Sequence, residues 1–164
     1  MALFLNKVVF GRTHIVAHKE AGPKVEYLCG YIYQSVKFIA KKIKELINGG
    51  ISPNDIFVLV PSVKSQNPRT PMKILENLLV ESEFPIHVST KDDTGSIDET
   101  VIEGKIVFCT FHQAKGLERA CVFVFNFNLK YFDFFGQDFD RTTCPCTLYV
   151  AATRATNYLC IVGV

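Results

Sequence analysis

Hydrophobic residues recur along this chain with two different spacings, and the two spacings alternate. Short runs that are apolar at nearly every position predict strands buried in a sheet, whereas apolar residues three or four positions apart predict amphipathic helices. The pattern predicts strands at Lys7 to Phe10, Thr13 to Ala17, Val25 to Leu28, Ile56 to Val60, Ile86 to Val88, Ile106 to Cys109, Cys121 to Phe125 and Tyr158 to Val162. It predicts helices at Gln34 to Ile47, Pro71 to Glu81 and Pro145 to Ala155.

Strands and helices in this order predict an α/β fold with a mostly parallel central sheet flanked by helices. The sequence Asn48-Gly49-Gly50 is suited to ending the first helix, because these residues tolerate left-handed backbone. The polar and acidic segment from Lys91 to Thr100 is predicted to be the most mobile part. No repeat or linker divides the 164 residues, so we predict a single domain spanning residues 1–164.

Composition limits the partners that this chain can have. Its formal net charge is only +2, so any nucleic-acid binding must come from a local surface. The six cysteines include one close pair, Cys144 and Cys146, and no group at zinc-ligand spacing. We therefore expect no metal ion held by this chain and a reduced intracellular protein, cytoplasmic or inside a host cell. The absence of a long apolar run predicts no membrane span.

Two polar segments stand out against this apolar pattern. The first is Thr110-Phe111-His112-Gln113-Ala114-Lys115-Gly116-Leu117-Glu118, which lies between two predicted strands. Such turns at strand ends are where α/β proteins keep their binding groups. The second is Tyr149-Val150-Ala151-Ala152-Thr153-Arg154-Ala155, where one arginine stands among small and apolar residues. An isolated guanidinium needs an anion to pair with, and phosphate suits its geometry.

Together these segments resemble motifs V and VI of the UvrD/Rep-type superfamily 1 helicases. The family writes motif V roughly as T-x-H-x-x-K-G-L-E, a pattern filled here by Thr110, His112, Lys115, Gly116, Leu117 and Glu118. Motif VI is matched by Leu148, Tyr149, Val150, Ala151, Thr153, Arg154 and Ala155. The resemblance covers nearly the whole chain. It implies the C-terminal, RecA-like domain of such a helicase, with a fold of the kind found in phosphate-binding-loop NTPases.

The resemblance also implies roles for individual residues. Helicases of this family split their ATP site between two RecA-like domains, and the N-terminal one holds most of the ATP and its Mg²⁺. Arg154 would be the catalytic arginine that reaches the γ-phosphate, with Gly116 and Glu118 as further nucleotide-binding residues. Thr110 and His112 would face single-stranded DNA. The implied partners are therefore an N-terminal RecA-like domain and single-stranded DNA, and we expect residues 110–118 and Arg154 to lie exposed along one edge region of the sheet.

The chain departs from the family in three ways. It contains no G-x-x-x-x-G-K-[ST] phosphate-binding loop, so only half of an ATP site is present. Where the buried strand Ile56 to Val60 ends, the family pattern expects an aromatic residue and then an arginine. Val60 and Pro61 occupy these two places here. Lys64 or Arg69 would then have to supply the second cation. The large accessory domain that commonly precedes motif V is also absent.

Simpler interpretations remain open for several of these residues. His112 fits an ordinary hydrogen-bonded loop histidine, and Glu118 fits a solvated acid. Lys115 fits either a phosphate contact or a structural salt bridge. For the whole chain, the alternative from a different class is a non-catalytic module that binds nucleic acid or protein and has kept only the helicase fold.

Overall fold

The computed structural model describes residues 25–64, 67–89, 97, 99–128, 130–134, 137–138, 142 and 144–163. The strands are β1 (Glu26–Cys29), β2 (Ile56–Val60), β3 (Ile86–Val88), β4 (Ile106–Thr110), β5 (Arg119–Phe125) and β6 (Ala155–Gly163). The helices are α1 (Ile32–Asn48), α2 (Pro71–Val80), α3 (Glu99–Ile102), α4 (Lys130–Phe134) and α5 (Cys146–Ala152), and a 3₁₀ turn covers Pro53–Asp55. The two strands expected before residue 25, and nearly all of the acidic segment after residue 90, lie outside the described residues.

All six described strands are parallel and form one sheet in the order β1-β6-β5-β2-β4-β3. The expected α/β fold with a central parallel sheet is therefore confirmed. Strand β2 lies in the middle and pairs with β4 on one side and β5 on the other. All five of its residues are buried, as its unbroken apolar sequence predicted.

Two separate cores cover the two faces of the sheet, because side chains alternate along each strand. On one face, α1 and α2 pack against strand residues that include Val58, Phe108 and Phe123. On the other face, α5 and the start of the segment after β4 pack against Phe57, Val107 and their neighbours. We call these the α1/α2 face and the α5 face. The segments that resemble motifs V and VI both lie on the α5 face.

The helix ends follow the local sequence. Gly50 adopts the left-handed backbone that ends α1, with φ of 97°. Thr70 caps α2 by accepting a hydrogen bond from the Lys73 N–H, and Pro71 occupies the first turn. The prediction was wrong at the C-terminal end of α5, which stops at Ala152, and Ala155 already belongs to β6. The short helices α3 and α4 were not predicted, since one turn is too short to show a helical period.

No helix in the described part of the chain is long and apolar enough to cross a membrane.

Adjacent residues of α2 provide a matched test of the α1/α2 face. Leu79 is fully buried and Val80 is 54% exposed. Leu79→Ala should lower the free energy of unfolding by about 2–5 kcal/mol, because it removes buried methyl groups and leaves a cavity. Val80→Ala should change it by less than about 0.5 kcal/mol. Urea unfolding of both variants measures this, and similar losses would contradict the assignment of the buried side of α2.

Candidate functional site

The segment between β4 and β5 runs the length of the sheet across the α5 face. Thr110 at the end of β4 is level with Val60, whereas Cys121 in β5 is level with Ile56 at the start of β2. Since β4 and β5 are parallel, residues 111–118 must return from the carboxyl end of the strands to the amino end, over roughly 20 Å. The segment therefore begins at the carboxyl end of the sheet and finishes at the amino end.

The first half of this segment is a helical turn closed by a capping box. The Gln113 N–H donates to Thr110 Oγ1 at 3.2 Å, and the Thr110 N–H donates to Gln113 Oε1 at 2.9 Å. This reciprocal pair has the T-x-x-Q spacing of a helix start, a signal that can be read from the sequence although it was not used. Thr110 therefore accepts one structural hydrogen bond, and its own O–H can still donate to a ligand.

At the carboxyl end, this turn and the start of α5 border a shallow cavity of about 140 Å³. Its lining consists of Phe111, His112, Lys115, Cys146, Thr147 and Val150. His112 and Lys115 are exposed, and neither side chain has an ion pair or hydrogen bond with another described residue. The structural salt bridge considered for Lys115 is thus not found among the described residues.

At the amino end, Arg154 is held against the second half of the segment. Its side chain donates three hydrogen bonds: Nε to Val150 O at 3.0 Å, Nη1 to Leu117 O at 3.1 Å and Nη2 to Thr153 Oγ1 at 3.0 Å. A guanidinium carries five N–H groups, so two remain without a partner among the described residues. The side chain is thus fixed in place by its own domain and keeps donors that can bind an anion.

Glu118 lies beside Arg154, and Gly116 lies two positions before Glu118 in the sequence. The Arg119 N–H donates to Arg154 O at 3.0 Å, which brings the residue after Glu118 into register with the start of β6. Glu118 is exposed. Gly116 has φ of 84°, a left-handed conformation that side chains rarely adopt, and a Cβ built there would meet nothing within 4 Å. The backbone at Gly116 is thus open to a ligand.

The structure separates the site residues that were expected along one edge region. Thr110 and His112 lie toward the carboxyl end of the sheet, whereas Glu118 and Arg154 lie together at the amino end. Pro61, where the family pattern expects an arginine, follows β2 at the carboxyl end, whereas Arg154 lies at the amino end.

Arg119 is the functional candidate that the sequence reasoning missed. It begins β5, an otherwise apolar strand, and its side chain is only 11% exposed. The argument that singled out Arg154, an isolated guanidinium in an apolar segment, applied equally to Arg119. Among the described residues no group of three or more His, Cys, Asp or Glu side chains could hold a metal ion.

Comparison with solved structures finds the same fold in a helicase domain. The crystal structure of the C-terminal domain of a possible DNA helicase from Lactobacillus plantarum WCFS1 superposes with a TM-score of 0.54 at 17% sequence identity. The match covers 87% of this chain and 73% of the other. No family model matches the sequence, and no curated protein matches it either. The chain therefore has the fold of a helicase C-terminal domain.

The capping box gives a direct test of the turn that carries His112. Thr110→Ala removes the hydroxyl that accepts the Gln113 N–H and should lower the free energy of unfolding by about 1 kcal/mol. Thr110→Ser keeps the hydroxyl and should recover most of that loss. Chemical unfolding measures the free energy of unfolding of both variants. If both variants lose the same amount of stability, the hydroxyl contributes nothing to the turn.

Proposed function

We propose that this chain, as one domain spanning residues 1–164, is the C-terminal motor domain of an ATP-dependent DNA helicase of the UvrD/Rep type. It completes an ATP site and holds part of a single-stranded DNA track. The observation that carries the proposal is the path of residues 110–118, which joins two potential ligand surfaces at opposite ends of the sheet. Binding at one surface can therefore act on the other through a single short segment.

The amino end provides one wall of a nucleotide site. Arg154 has two free N–H groups, Glu118 has an exposed carboxylate that can accept from a ribose hydroxyl, and Gly116 allows close approach of the backbone. An arginine delivered to the γ-phosphate stabilises the charge that spreads over its oxygens in the transition state. The phosphate-binding loop and the Mg²⁺ ligands must come from a second, N-terminal RecA-like domain, where Mg²⁺ would neutralise charge on the β- and γ-phosphates.

The carboxyl end provides the surface for the single strand. Lys115 supplies a positive charge for a phosphate, His112 supplies a ring that can donate or stack, and Thr110 supplies a hydroxyl donor. These three groups project from one turn, so a strand that binds there contacts the same segment that ends at Glu118. This arrangement supports the assignment of Thr110 and His112 to nucleic acid and of Glu118 and Arg154 to nucleotide.

The alternative of a non-catalytic binding module rests on the missing phosphate-binding loop. The two functions differ in what happens when a RecA-like domain with that loop is joined to this chain. A motor domain should raise ATP hydrolysis through Arg154, whereas a binding module should leave hydrolysis unchanged.

Substitutions at the two ends of the sheet should have opposite effects in an assembly of this chain with a phosphate-binding domain. Arg154→Ala should lower the ATP turnover number by about 10³-fold or more and leave single-strand affinity nearly intact. His112→Ala should weaken single-strand binding by about 1–3 kcal/mol, if the ring stacks on a base, and should reduce DNA-stimulated more than basal hydrolysis. Fluorescence titration with an oligonucleotide and ATPase assays with and without it measure both effects.

Two control variants belong to the same experiment. Lys41→Ala removes an exposed cation from α1, and His87→Ala removes a histidine from edge strand β3. Neither should change turnover or DNA affinity. If His112→Ala binds DNA like the wild type and loses only basal turnover, His112 belongs to the nucleotide end or to the scaffold.

A thiol footprint tests the DNA surface with this chain alone. Cys146 lines the cavity beside His112, and Cys29 lies in edge strand β1; both are exposed. A single-stranded oligonucleotide should slow the alkylation of Cys146 at pH 8 and leave the rate at Cys29 unchanged. Burial raises the pKa of each of the other four thiols, to about 12 for Cys109, about 11 for Cys121, about 11 for Cys144 and about 12 for Cys160. These four thiols are therefore protonated at pH 8 and react slowly with the alkylating reagent, so the footprint reports on Cys29 and Cys146.

The outcome of the footprint depends on the ratio of the two rates. Protection of Cys146 alone places the strand over the cavity. Equal rates at both thiols in the presence of saturating oligonucleotide would contradict a DNA surface at the carboxyl end.

A further inference from the structure

Arg119 is held by three different contacts at the amino end of the sheet. Its guanidinium carbon lies 4.8 Å from the centre of the Phe57 ring, and Nη2 contacts both carboxylate oxygens of Glu99 at 2.7 and 2.9 Å. The third contact is from Nη1 to Glu118 O at 2.8 Å. The Arg119 side chain is 11% exposed and that of Glu99 is 63% exposed. A nearly buried cation is thus matched by a carboxylate on the solvent side.

The same residue fixes the backbone of the proposed nucleotide wall. The Arg119 N–H donates to Arg154 O at 3.0 Å, and the Arg154 side chain returns a bond to Leu117 O at 3.1 Å. These bonds close a ring through residues 117–119 and Arg154. The Arg119 Nη1 group also binds the carbonyl of Glu118 at 2.8 Å, so the side chain of Arg119 holds the carbonyl before it while its backbone N–H holds Arg154 O.

The ladder between β5 and β6 does not fix this region by itself. The pairing is regular from Cys121 onward, but its register shifts between Arg119 and Cys121. Irregularities of this kind change the direction of the side chains beside them. Side-chain contacts therefore help to fix the backbone at Arg119, where the regular pairing of β5 with β6 ends.

We propose that Arg119, with Glu99 as its counter-ion, is the positioning residue of the nucleotide wall. This inference rests on the proposed function, since the wall is formed by Glu118 and Arg154. Arg119 itself does not touch the nucleotide. Glu99 fixes the Arg119 guanidinium over Phe57, and Arg119 then holds the backbone from which Glu118 and Arg154 project.

Two conservative substitutions break this arrangement and leave the size of the side chains nearly unchanged. Arg119→Lys keeps a cation, but a single ammonium cannot contact Glu99 and the Glu118 carbonyl in the same planar geometry. Glu99→Gln keeps the shape of the counter-ion and removes its charge. Glu76→Gln is the matched control, because Lys73 and Glu76 form an ion pair of the same 2.7 Å length on α2.

The first measurement is ATP turnover in the assembly with a phosphate-binding domain. Arg119→Lys and Glu99→Gln should each lower kcat by about tenfold to a hundredfold, since small displacements of a catalytic group have effects of this size. Single-strand affinity should be unchanged, and Glu76→Gln should match the wild type. Unchanged kcat in both variants overturns the proposal.

A double substitution separates positioning from general damage to the fold. In an Arg154→Ala background, Glu99→Gln should have no further effect on kcat, because its effect passes through Arg154. A second loss of similar size would show a merely structural role and overturn the proposal. If Arg154→Ala alone leaves kcat unchanged, the proposed function fails; if only the Arg119 and Glu99 variants are silent, the positioning role alone fails.

The chain by itself gives an independent readout. The Nε–Hε signal of Arg154 in a ¹⁵N-correlated NMR spectrum should shift in Glu99→Gln and stay in place in Glu76→Gln. The backbone amide spectrum reports on folding in the same sample. An Arg154 signal that does not move in Glu99→Gln, in a chain that is otherwise folded like the wild type, contradicts the link between the two residues.

Discussion

The structure depends on one geometric constraint, the parallel direction of β4 and β5 on either side of β2. Two parallel strands separated by a third cannot be joined by a tight turn, so the chain must return across one face of the sheet. Here the return segment is only eight residues long, from Phe111 to Glu118. It therefore extends from one end of the sheet to the other. Side chains at its two ends, such as His112 and Glu118, belong to the same eight-residue segment.

Packing keeps this connection rigid. Phe111 and Ala114 are buried on the α5 face, and the Thr110–Gln113 capping box closes the first turn. Near the end of the segment, Arg154 donates to Leu117 O. A rigid element with few internal degrees of freedom transmits a displacement instead of absorbing it. Coupling between two sites requires such an element, whose arrangement both ligands bias. The proposed motor function needs this property more than it needs any single contact.

The sequence was sufficient for the parts of the fold that are governed by local patterns. The continuous apolar run of β2 and the spacing of Ile39 and Ile43 in α1 determine their elements without help from the rest of the chain. The relation between His112 and Arg154 was not predictable in this way. It depends on strand register, which is set by pairing between residues far apart in the sequence.

The most direct test of the account is whether the two ends respond together. A single-stranded oligonucleotide added to this chain should shift the NMR signals of the His112 ring and of the Arg154 Nε–Hε group with the same saturation curve. The backbone amide of Lys41, in α1 on the α1/α2 face, should serve as a control signal that stays in place. If the His112 signal saturates while the Arg154 signal does not move, residues 110–118 do not connect the two surfaces and the central claim is wrong.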